Sequence, residues 1–536
     1  MTPIIKETAS MYTRAGIRLD ADIYRPETTE KLPVLLMRQP YGRAIASTVV
    51  YAHPSWYAAC GYIVVIQDVR GRGTSAGEFE LFRHEIDDGL DTIEWAANLP
   101  GSNGKVGMYG FSYQGMTQLY AAIAKPSALK VLCPAMLAYD LYSDWAYENG
   151  AFCLLANLAW AIQLAAETAR LAKDEVAYEV LYAASRHLPF YNPSQAFIQS
   201  FAKYDPYYAE WLSHPQPDEY WQQLSPKYLL ADVDLPMLHI GGWFDPYLRG
   251  NLNLYQAMVQ RSKYPQHLVI APWAHLPWGR KLGQKDYGVE AISAIDRLQV
   301  RWFDYWLKGK QVRNDVDKDD LSLNWVSLFE IGSNKWIHRE HLPLGYHADL
   351  SEQEDPQYYY LHSNGLASIR EDAGILVTEP KNIPNQTDTI VHDPWRPVPA
   401  LGGHANMPGG QWDRSSLDCR SDILTYTSAP LEEDLAIAGV ITVQLYCYAD
   451  TPTFDLSLVL SEVTPTQQVY NFTQGYARFT ENLSQFQPDS LLFSEAKSSL
   501  NLPLTIPLQP ICIRLKQGNC LRLSISGACF PAYSIN

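Results

Sequence analysis

The chain has 536 residues, 47% of them hydrophobic and 19% charged, the balance of an ordinary globular protein, which excludes intrinsic disorder as its main state. Lys plus Arg number 42 against 58 Asp plus Glu, so the net charge is −16. Nucleic acid and anionic membrane surfaces both require a cationic face, and no basic block is present, so neither partner is expected.

Over the first third, short apolar runs at 33–37, 62–67, 105–109 and 130–133 alternate with helical spacing. In 85–98, for example, Ile86, Leu90, Ile93 and Ala97 fall on one face. Continuous apolar runs predict strands buried on both faces, and strand alternating with helix predicts an α/β domain with a parallel sheet. Residues 139–229 show little strand signal. The stretch 151–172 is rich in Ala and Leu and 174–186 continues it, so a helical insertion is expected, long enough to form a cap. Strands resume at 235–240 and 267–270, and a helix follows at 292–307. A charged turn at 314–320 reads as a solvated linker. Beyond it, strand candidates at 325–331, 357–362, 440–448, 454–462, 511–515 and 520–526 predict an all-β sandwich of jelly-roll type. The expected division is an α/β core in two parts (1–138 and 230–320), a helical cap (139–229) and a β jelly-roll domain (321–536).

The run 105–109 leads into Gly110-Phe111-Ser112-Tyr113-Gln114-Gly115, and a helix candidate follows at 116–124. A serine between a buried strand and a helix is the setting of a nucleophile elbow, whose strained turn needs small neighbours. Gly110 meets that need two residues before Ser112. Two residues after it, where glycine is usual, stands Gln114, with Gly115 one later. The motif alone leaves a tight strand-to-helix turn as the alternative. A serine nucleophile needs a base, and the base an orienting acid, in the chain order Ser, Asp or Glu, His, each just past a strand. Asp245 follows 235–240 in the loop that Gly241-Gly242-Trp243-Phe244 opens, and His275 follows 267–270 behind Ala271-Pro272-Trp273-Ala274. His84, His239 and His267 read as ordinary surface or core histidines. Tyr41, past the first buried strand, stands where an oxyanion-hole donor is expected.

Five stretches now fall in order: Gln39-Pro40-Tyr41, then Gln67-Asp68-Val69-Arg70-Gly71-Arg72-Gly73 with Thr74-Ser75-Ala76-Gly77-Glu78-Phe79, then 107–117, then Gly241 to Asp245, then Ala271 to His275. A sixth runs from Asp393-Pro394 through Pro397-Val398-Pro399 to Gly402-Gly403. With them the chain resembles the cocaine esterase and X-Pro dipeptidyl-peptidase family of serine hydrolases over nearly its whole length. The resemblance implies an α/β-hydrolase core, an inserted helical cap and a C-terminal all-β jelly-roll domain, the division already read. It implies Ser112 as nucleophile, His275 as general base and then acid, and Asp245 as orienting acid. The Tyr41 hydroxyl and the backbone N–H of Tyr113 are then the oxyanion donors. In the family a variable residue separates the Tyr from the Gly after the serine, which accommodates Gln114. No metal or organic cofactor is implied.

Relatives that act on α-amino acyl substrates place acidic residues near the site to hold the ammonium. Here Asp245 is followed by Pro246, Tyr247 and Leu248. Burying an unpaired ammonium costs several kcal/mol, so α-amino acid ester hydrolysis is disfavoured, and a dipeptidyl peptidase would need an acid from the cap such as Asp144 or Glu148. By similarity to the family's cap aromatics, Trp145 and Trp160 are expected to line the acyl pocket with Tyr247 nearby, which favours an apolar or aromatic acyl group. Packing between cap and core is the plain alternative for each. The expected activity is cleavage of a small ester or amide through an acyl-enzyme. An X-Pro dipeptidyl-peptidase or β-lactam acylase, a biosynthetic acyltransferase, and a carbohydrate-binding protein with a vestigial triad are the rivals.

Residues 1–25 lack a basic region followed by an apolar stretch, no apolar run reaches the length of a membrane span, and the eight cysteines form no C-x-x-C pair. A cytoplasmic setting without a metal site is therefore expected. Relatives usually continue beyond the stretch matching Phe530-Pro531-Ala532-Tyr533, from which an uncovered sheet edge, and a homo-oligomer covering it, are expected.

Overall fold

The computed structural model describes residues 3–191, 193–310, 325–346, 357–380, 386–447, 449–480 and 503–536; the expected linker at 314–320 lies outside them. A ten-stranded sheet forms the core. In spatial order its strands are Ile4–Tyr12, Arg18–Pro26, Ile63–Asp68, Leu32–Gln39, Ser102–Phe111, Leu129–Ala135, Met237–Phe244, Gln266–Ala274, Trp325–Glu330 and Lys335–Arg339. From Ile63–Asp68 to Trp325–Glu330 neighbours pair in parallel. Leu32–Gln39 shows why its apolar run is unbroken. Val34 and Leu36 face one helical layer, with Ile93 and Ala96 of Glu85–Ala97 and Met116 and Leu119 of Tyr113–Ile123. Leu35 and Met37 face the other layer, with Tyr57 of Pro54–Ala59 and Trp302, Phe303 and Leu307 of Ile295–Lys308. All four strand residues are fully buried, as a strand between two helical layers must be.

The structure departs from expectation where the apolar signal was weak or shared. The hairpin Ile4–Tyr12 and Arg18–Pro26 extends one edge of the sheet. Its first strand alternates half-exposed residues, so no continuous run marked it. Met237–Phe244 runs through Gly241 and Gly242, which had read as a break. A Cβ on Gly242 would lie 2.4 Å from the carbonyl oxygen of Trp273, so glycine is what lets the two strand ends approach. Trp325–Glu330, read as the first strand of the β domain, instead pairs in parallel with Gln266–Ala274, so the core sheet continues past residue 320. Its apolar residues Val326, Leu328 and Phe329 look the same from sequence whichever sheet buries them.

Between the two parts of the core lie the helices Leu154–Leu171, Glu175–Arg186, Gln195–Tyr204, Tyr208–Ser213 and Glu219–Leu224. Their ends are set locally: Asp174 caps Ala177 and Ser194 caps Phe197. A two-residue hairpin, Tyr147–Glu148 with Ala151–Phe152, precedes them. In the C-terminal part a six-stranded sheet runs Tyr360–Ser363, Gly374–Val377, Ile423–Ser428, Cys520–Ser526, Phe454–Val463, Val469–Phe479. Two ribbons, Leu435–Gly439 with Ile511–Leu515 and Thr442–Leu445 with Leu504–Pro507, share one apolar core with it. That core also takes in Trp243, Phe244 and Leu248, so the α/β and β parts share one apolar core beside the loop that carries Asp245. The last residues pin the cap: Leu155 N–H donates to the carbonyl of Ala532 at 3.3 Å, and Ser534 N–H to that of Phe152 at 3.3 Å. Among the described residues no helix is long and apolar enough to cross a membrane.

Candidate active site

Ser112 stands between Ser102–Phe111 and Tyr113–Ile123 with φ 60° and ψ −128°, a strained backbone that a non-glycine residue adopts only where its surroundings enforce it. Its N–H is shared between the carbonyls of Ala135 (3.0 Å) and Met136 (3.1 Å) on the neighbouring strand. The demand for small neighbours falls on Gly110 and Gly115. A Cβ on Gly110 would come within 2.5 Å of the Gln114 Cβ, and one on Gly115 within 2.8 Å of the Ala135 carbonyl oxygen. The glycine one place later than usual is thus the one that lets the helix seat against the next strand.

Asp245 ends the turn after Met237–Phe244, and His275 follows Gln266–Ala274 on the adjacent strand. Parallel pairing brings the two strand ends together, and His275 Nδ1 lies 2.8 Å from Asp245 Oδ1. The Asp245 carboxylate is wholly buried while the His275 ring keeps a quarter of its surface open. Burial raises the Asp245 pKa; the His275 and His404 charges and the Tyr247 N–H oppose the shift. The imidazole is clamped by the Phe111 ring (5.3 Å between centroids) and, edge to face, by Tyr247 (5.0 Å). The three histidines read as ordinary from the sequence have other partners. His239 Nε2 is 3.0 Å from Gln266 Oε1, the His267 ring packs on Trp302, and His84 lies 3.3 Å from Glu80.

Tyr41, two residues past Leu32–Gln39, accepts a hydrogen bond at its hydroxyl from Trp160 Nε1 (3.1 Å). The same hydroxyl is within hydrogen-bond reach of the Ser112 side chain. A hydroxyl has one proton, and with a lone pair taken by the indole N–H that proton is left for donation to another acceptor. Burial pushes the Tyr41 phenol up to about 12, against the opposing effects of Trp160, Ser112 and the Arg72 charge. Tyr113 opens its helix, so its backbone N–H has no acceptor within the helix. Its side chain is anchored behind the site: the hydroxyl donates to Glu85 Oε1 (2.7 Å), and Arg38 Nη1 donates to Glu85 Oε2 (2.5 Å).

The three pocket candidates come together as one aromatic wall. Trp145 lies 4.3 Å from Tyr247 and 5.1 Å from Trp160, ring centroid to centroid. Two residues unforeseen from the sequence complete it: Tyr207, 5.1 Å from Trp160, and Phe82, 5.9 Å from Trp145 and 4.8 Å from Tyr113. The cap acids are already engaged. Asp144 Oδ2 accepts the N–H groups of Tyr139 (3.1 Å) and Asp140 (2.8 Å), and burial with the Asp140 charge pushes its carboxyl up to about 6. Glu148 meets Arg249 (3.1 Å), His404 Nε2 (3.1 Å) and the Tyr533 hydroxyl (2.5 Å). Burial alone would raise the Glu148 carboxyl, but the Arg249 and His404 charges hold it well below the usual carboxylate range.

Arg72, inside one of the stretches that carry the resemblance, is a buried cation beside this site. Its Nη1 donates to the carbonyl of Leu164 (3.1 Å), one turn beyond Trp160, and its guanidinium lies 3.8 Å above the Phe79 ring. Among the described residues no carboxylate comes within ion-pair distance of it, and burial brings its pKa down to about 10.

Residues 15–277 match the family described as X-Pro dipeptidyl-peptidase (S15 family), and 326–536 match the X-Pro dipeptidyl-peptidase C-terminal non-catalytic domain. Cocaine esterase of Rhodococcus sp. (strain MB1 Bresler) is 27% identical over 552 residues, covering 98% of this chain and 90% of that protein. Among solved structures the chain is similar to an aminopeptidase from the marine sediment archaeon Thaumarchaeota archaeon, with TM-score 0.76 and 23% identity over 100% of this chain and 92% of the other. It is also similar to an α-amino acid ester hydrolase, with TM-score 0.73 and 22% identity over 100% and 91%. These two likenesses speak for the fold alone. With both parts of the chain matched, and a relative aligned almost end to end, the chain belongs to the cocaine esterase and X-Pro dipeptidyl-peptidase family of serine hydrolases.

Proposed function

We propose that the chain is a serine esterase that releases a small apolar or aromatic acyl group through an acyl-enzyme on Ser112. The observation that supports this is the strained Ser112 turn beside the 2.8 Å His275–Asp245 pair, with the Tyr41 hydroxyl within reach of the serine. Ser112 Oγ attacks the ester carbonyl as its proton passes to His275. The oxyanion is met by Tyr41 O–H and Tyr113 N–H. His275 then protonates the leaving alcohol, and water repeats the sequence to free the acid. Asp245 holds the imidazole in the tautomer that accepts the serine proton and stabilises the imidazolium.

Two features favour an ester of an uncharged acyl group over an aminoacyl substrate. The wall is aromatic, and the two cap carboxylates named from the sequence, Asp144 and Glu148, are held by backbone N–H groups and by Arg249 and His404. The alignment with cocaine esterase over nearly the whole chain points the same way. The test is turnover of a p-nitrophenyl acyl ester series and of Xaa-Pro-p-nitroanilides, with Ser112→Ala as the blank. Fast ester turnover, absent from the blank, with no nitroanilide release is the expected result. Release from Xaa-Pro substrates would replace the esterase with a peptidase. Product analysis with an added alcohol or amine distinguishes acyl transfer from hydrolysis.

Trp160 carries two separable expectations. Trp160→Ala opens the wall and shifts the preferred acyl length. Trp160→Phe keeps the aromatic face but removes the N–H that orients Tyr41, so kcat falls about fivefold at every chain length with the preference unchanged. The same ester series reads both. An equal proportional loss across acyl chains in Trp160→Ala would reduce the residue to packing.

A further inference from the structure

The turn that carries Asp245 is held from the β domain. Gln509 lies between Leu504–Pro507 and Ile511–Leu515 and is 2% exposed. Its Nε2 donates to the Asp245 carbonyl (2.8 Å) and to the Trp243 carbonyl (3.2 Å). Both protons of the carboxamide therefore serve the two peptide carbonyls that bracket Phe244. The backbone of Gln509 is itself fixed: its N–H donates to the Gln474 carbonyl (2.9 Å), and Thr473 Oγ1 donates to its carbonyl (2.6 Å). The preceding N–H, of Leu508, donates to Ile441 (2.8 Å). A rigid β-domain segment thus presents one side chain to one turn of the core.

Leu508 and Ile511 flank Gln509 and sit in the apolar core shared with Trp243, Phe244 and Leu248, which already joins the two parts. A carboxamide placed within that core must be desolvated, and the Trp243 and Asp245 carbonyls satisfy its N–H groups there. Within its own domain the Asp245 turn is tied by Asp245 N–H to Gly242 (3.1 Å), Leu248 N–H to the Asp245 carbonyl (3.2 Å), the Tyr247 N–H to the Asp245 carboxylate and the pairing of Phe244 with Ala274. The carboxylate at the far side of that residue must keep a 2.8 Å contact with His275 Nδ1. Small displacements at such a contact are costly in rate; about 1 Å is worth up to about 10²-fold.

We infer that Gln509 is a positioning residue for Asp245, so that the β domain, which belongs to a family described as non-catalytic, fixes one member of the triad. The inference rests on Asp245 acting as the orienting acid. It is tested with Gln509→Leu and Gln509→Glu, each made in the parent and in Asp245→Asn, and assayed on a p-nitrophenyl ester. Gln509→Leu removes both donors at similar volume, and kcat is expected to fall about 10- to 100-fold with KM within about twofold. The acid limb of the kcat/KM profile moves to lower pH by about one unit, because a displaced carboxylate no longer stabilises the imidazolium fully. Gln509→Glu keeps the shape but turns a carboxylate on two carbonyls, so it loses at least as much. In the Asp245→Asn background either change costs less than about threefold, since the group being positioned is gone.

Equal losses in both backgrounds, or an unmoved acid limb, would make Gln509 a structural residue and overturn the inference. Thermal melts confirm that each variant is folded at the assay temperature, and Gln509→Glu carries the test if Gln509→Leu does not fold. The two levels fail separately. If Asp245→Asn leaves kcat intact, the triad reading is wrong. If Asp245→Asn loses activity and Gln509→Leu does not, only the positioning role is wrong.

Discussion

Asp245→Asn is expected to lower kcat about 10⁴-fold while the folded protein becomes more resistant to heat at neutral pH. The rate loss follows from the 2.8 Å contact between Asp245 Oδ1 and His275 Nδ1. A carboxylate only accepts there, so a neutral His275 carries its proton on Nδ1 and keeps Nε2 unprotonated, as the proposed mechanism requires. An amide can turn its NH₂ to Nδ1 and leave the imidazole in the wrong tautomer, and it no longer stabilises the imidazolium. The stability change has the opposite sign. Burial raises the Asp245 pKa above its unfolded value despite the His275 charge. For a carboxyl shifted upward, ionisation opposes folding: the cost is absent below the unfolded pKa, grows between the two values and is complete above the folded one. Asparagine does not carry that charge, so its melting temperature exceeds the parent's at pH 7, and the difference closes as the pH falls below the ordinary carboxylate range. Melting curves across pH and initial rates on one ester check both halves. A melting temperature that fell together with the rate would mean that the variant is damaged, and the kinetic argument would lapse.

The candidate triad could be read from the sequence because the α/β sheet makes local signals into positions. A strand buried on both faces has to be continuously apolar, so the runs ending near Phe111, Phe244 and Ala274 mark strand ends, and the residues just beyond them share the C-terminal edge of one parallel sheet. Ser112, Asp245 and His275 are such residues. Gly241 and Gly242 hid the true length of one strand, since glycine reads as a break and here serves close strand approach. The edge hairpin Ile4–Tyr12 was silent because one face meets solvent. Trp325–Glu330 displayed a strand but not its sheet. Partnerships set wholly by tertiary approach left no mark at all. The Trp160–Tyr41 bond spans 119 residues and the Gln509–Asp245 bond 264, and nothing near either residue in sequence points to the other. Phe82 and Tyr207 join the aromatic cluster in the same way, as aromatics that nothing in the sequence singles out.

Tyr41→Phe is expected to lower kcat about 10²- to 10³-fold with little change in KM, roughly 2.7–4 kcal/mol of transition-state stabilisation. The phenylalanine ring fills the same space, so the ground-state carbonyl binds as before; only the donor that meets the developing oxyanion is lost. The burial that pushes the phenol up to about 12 keeps it protonated across the working range, so no loss of activity below about pH 10 is assigned to this group. The Arg72 charge opposes that shift: a buried cation with no carboxylate in ion-pair distance among the described residues favours negative charge near the Tyr41 hydroxyl, as on a developing oxyanion. The substitution has a second consequence that helps to separate cause from damage. It leaves the half-buried Trp160 Nε1 without its acceptor, at a cost of about 1 kcal/mol in stability, whereas changing both partners to phenylalanine removes that donor and restores much of the loss. The double variant Tyr41→Phe with Trp160→Phe should therefore melt closer to the parent than Tyr41→Phe alone, yet stay as slow. Recovery of kcat in the double variant would show that the rate loss came from the stranded indole N–H, and Tyr41 would lose its place in the oxyanion hole.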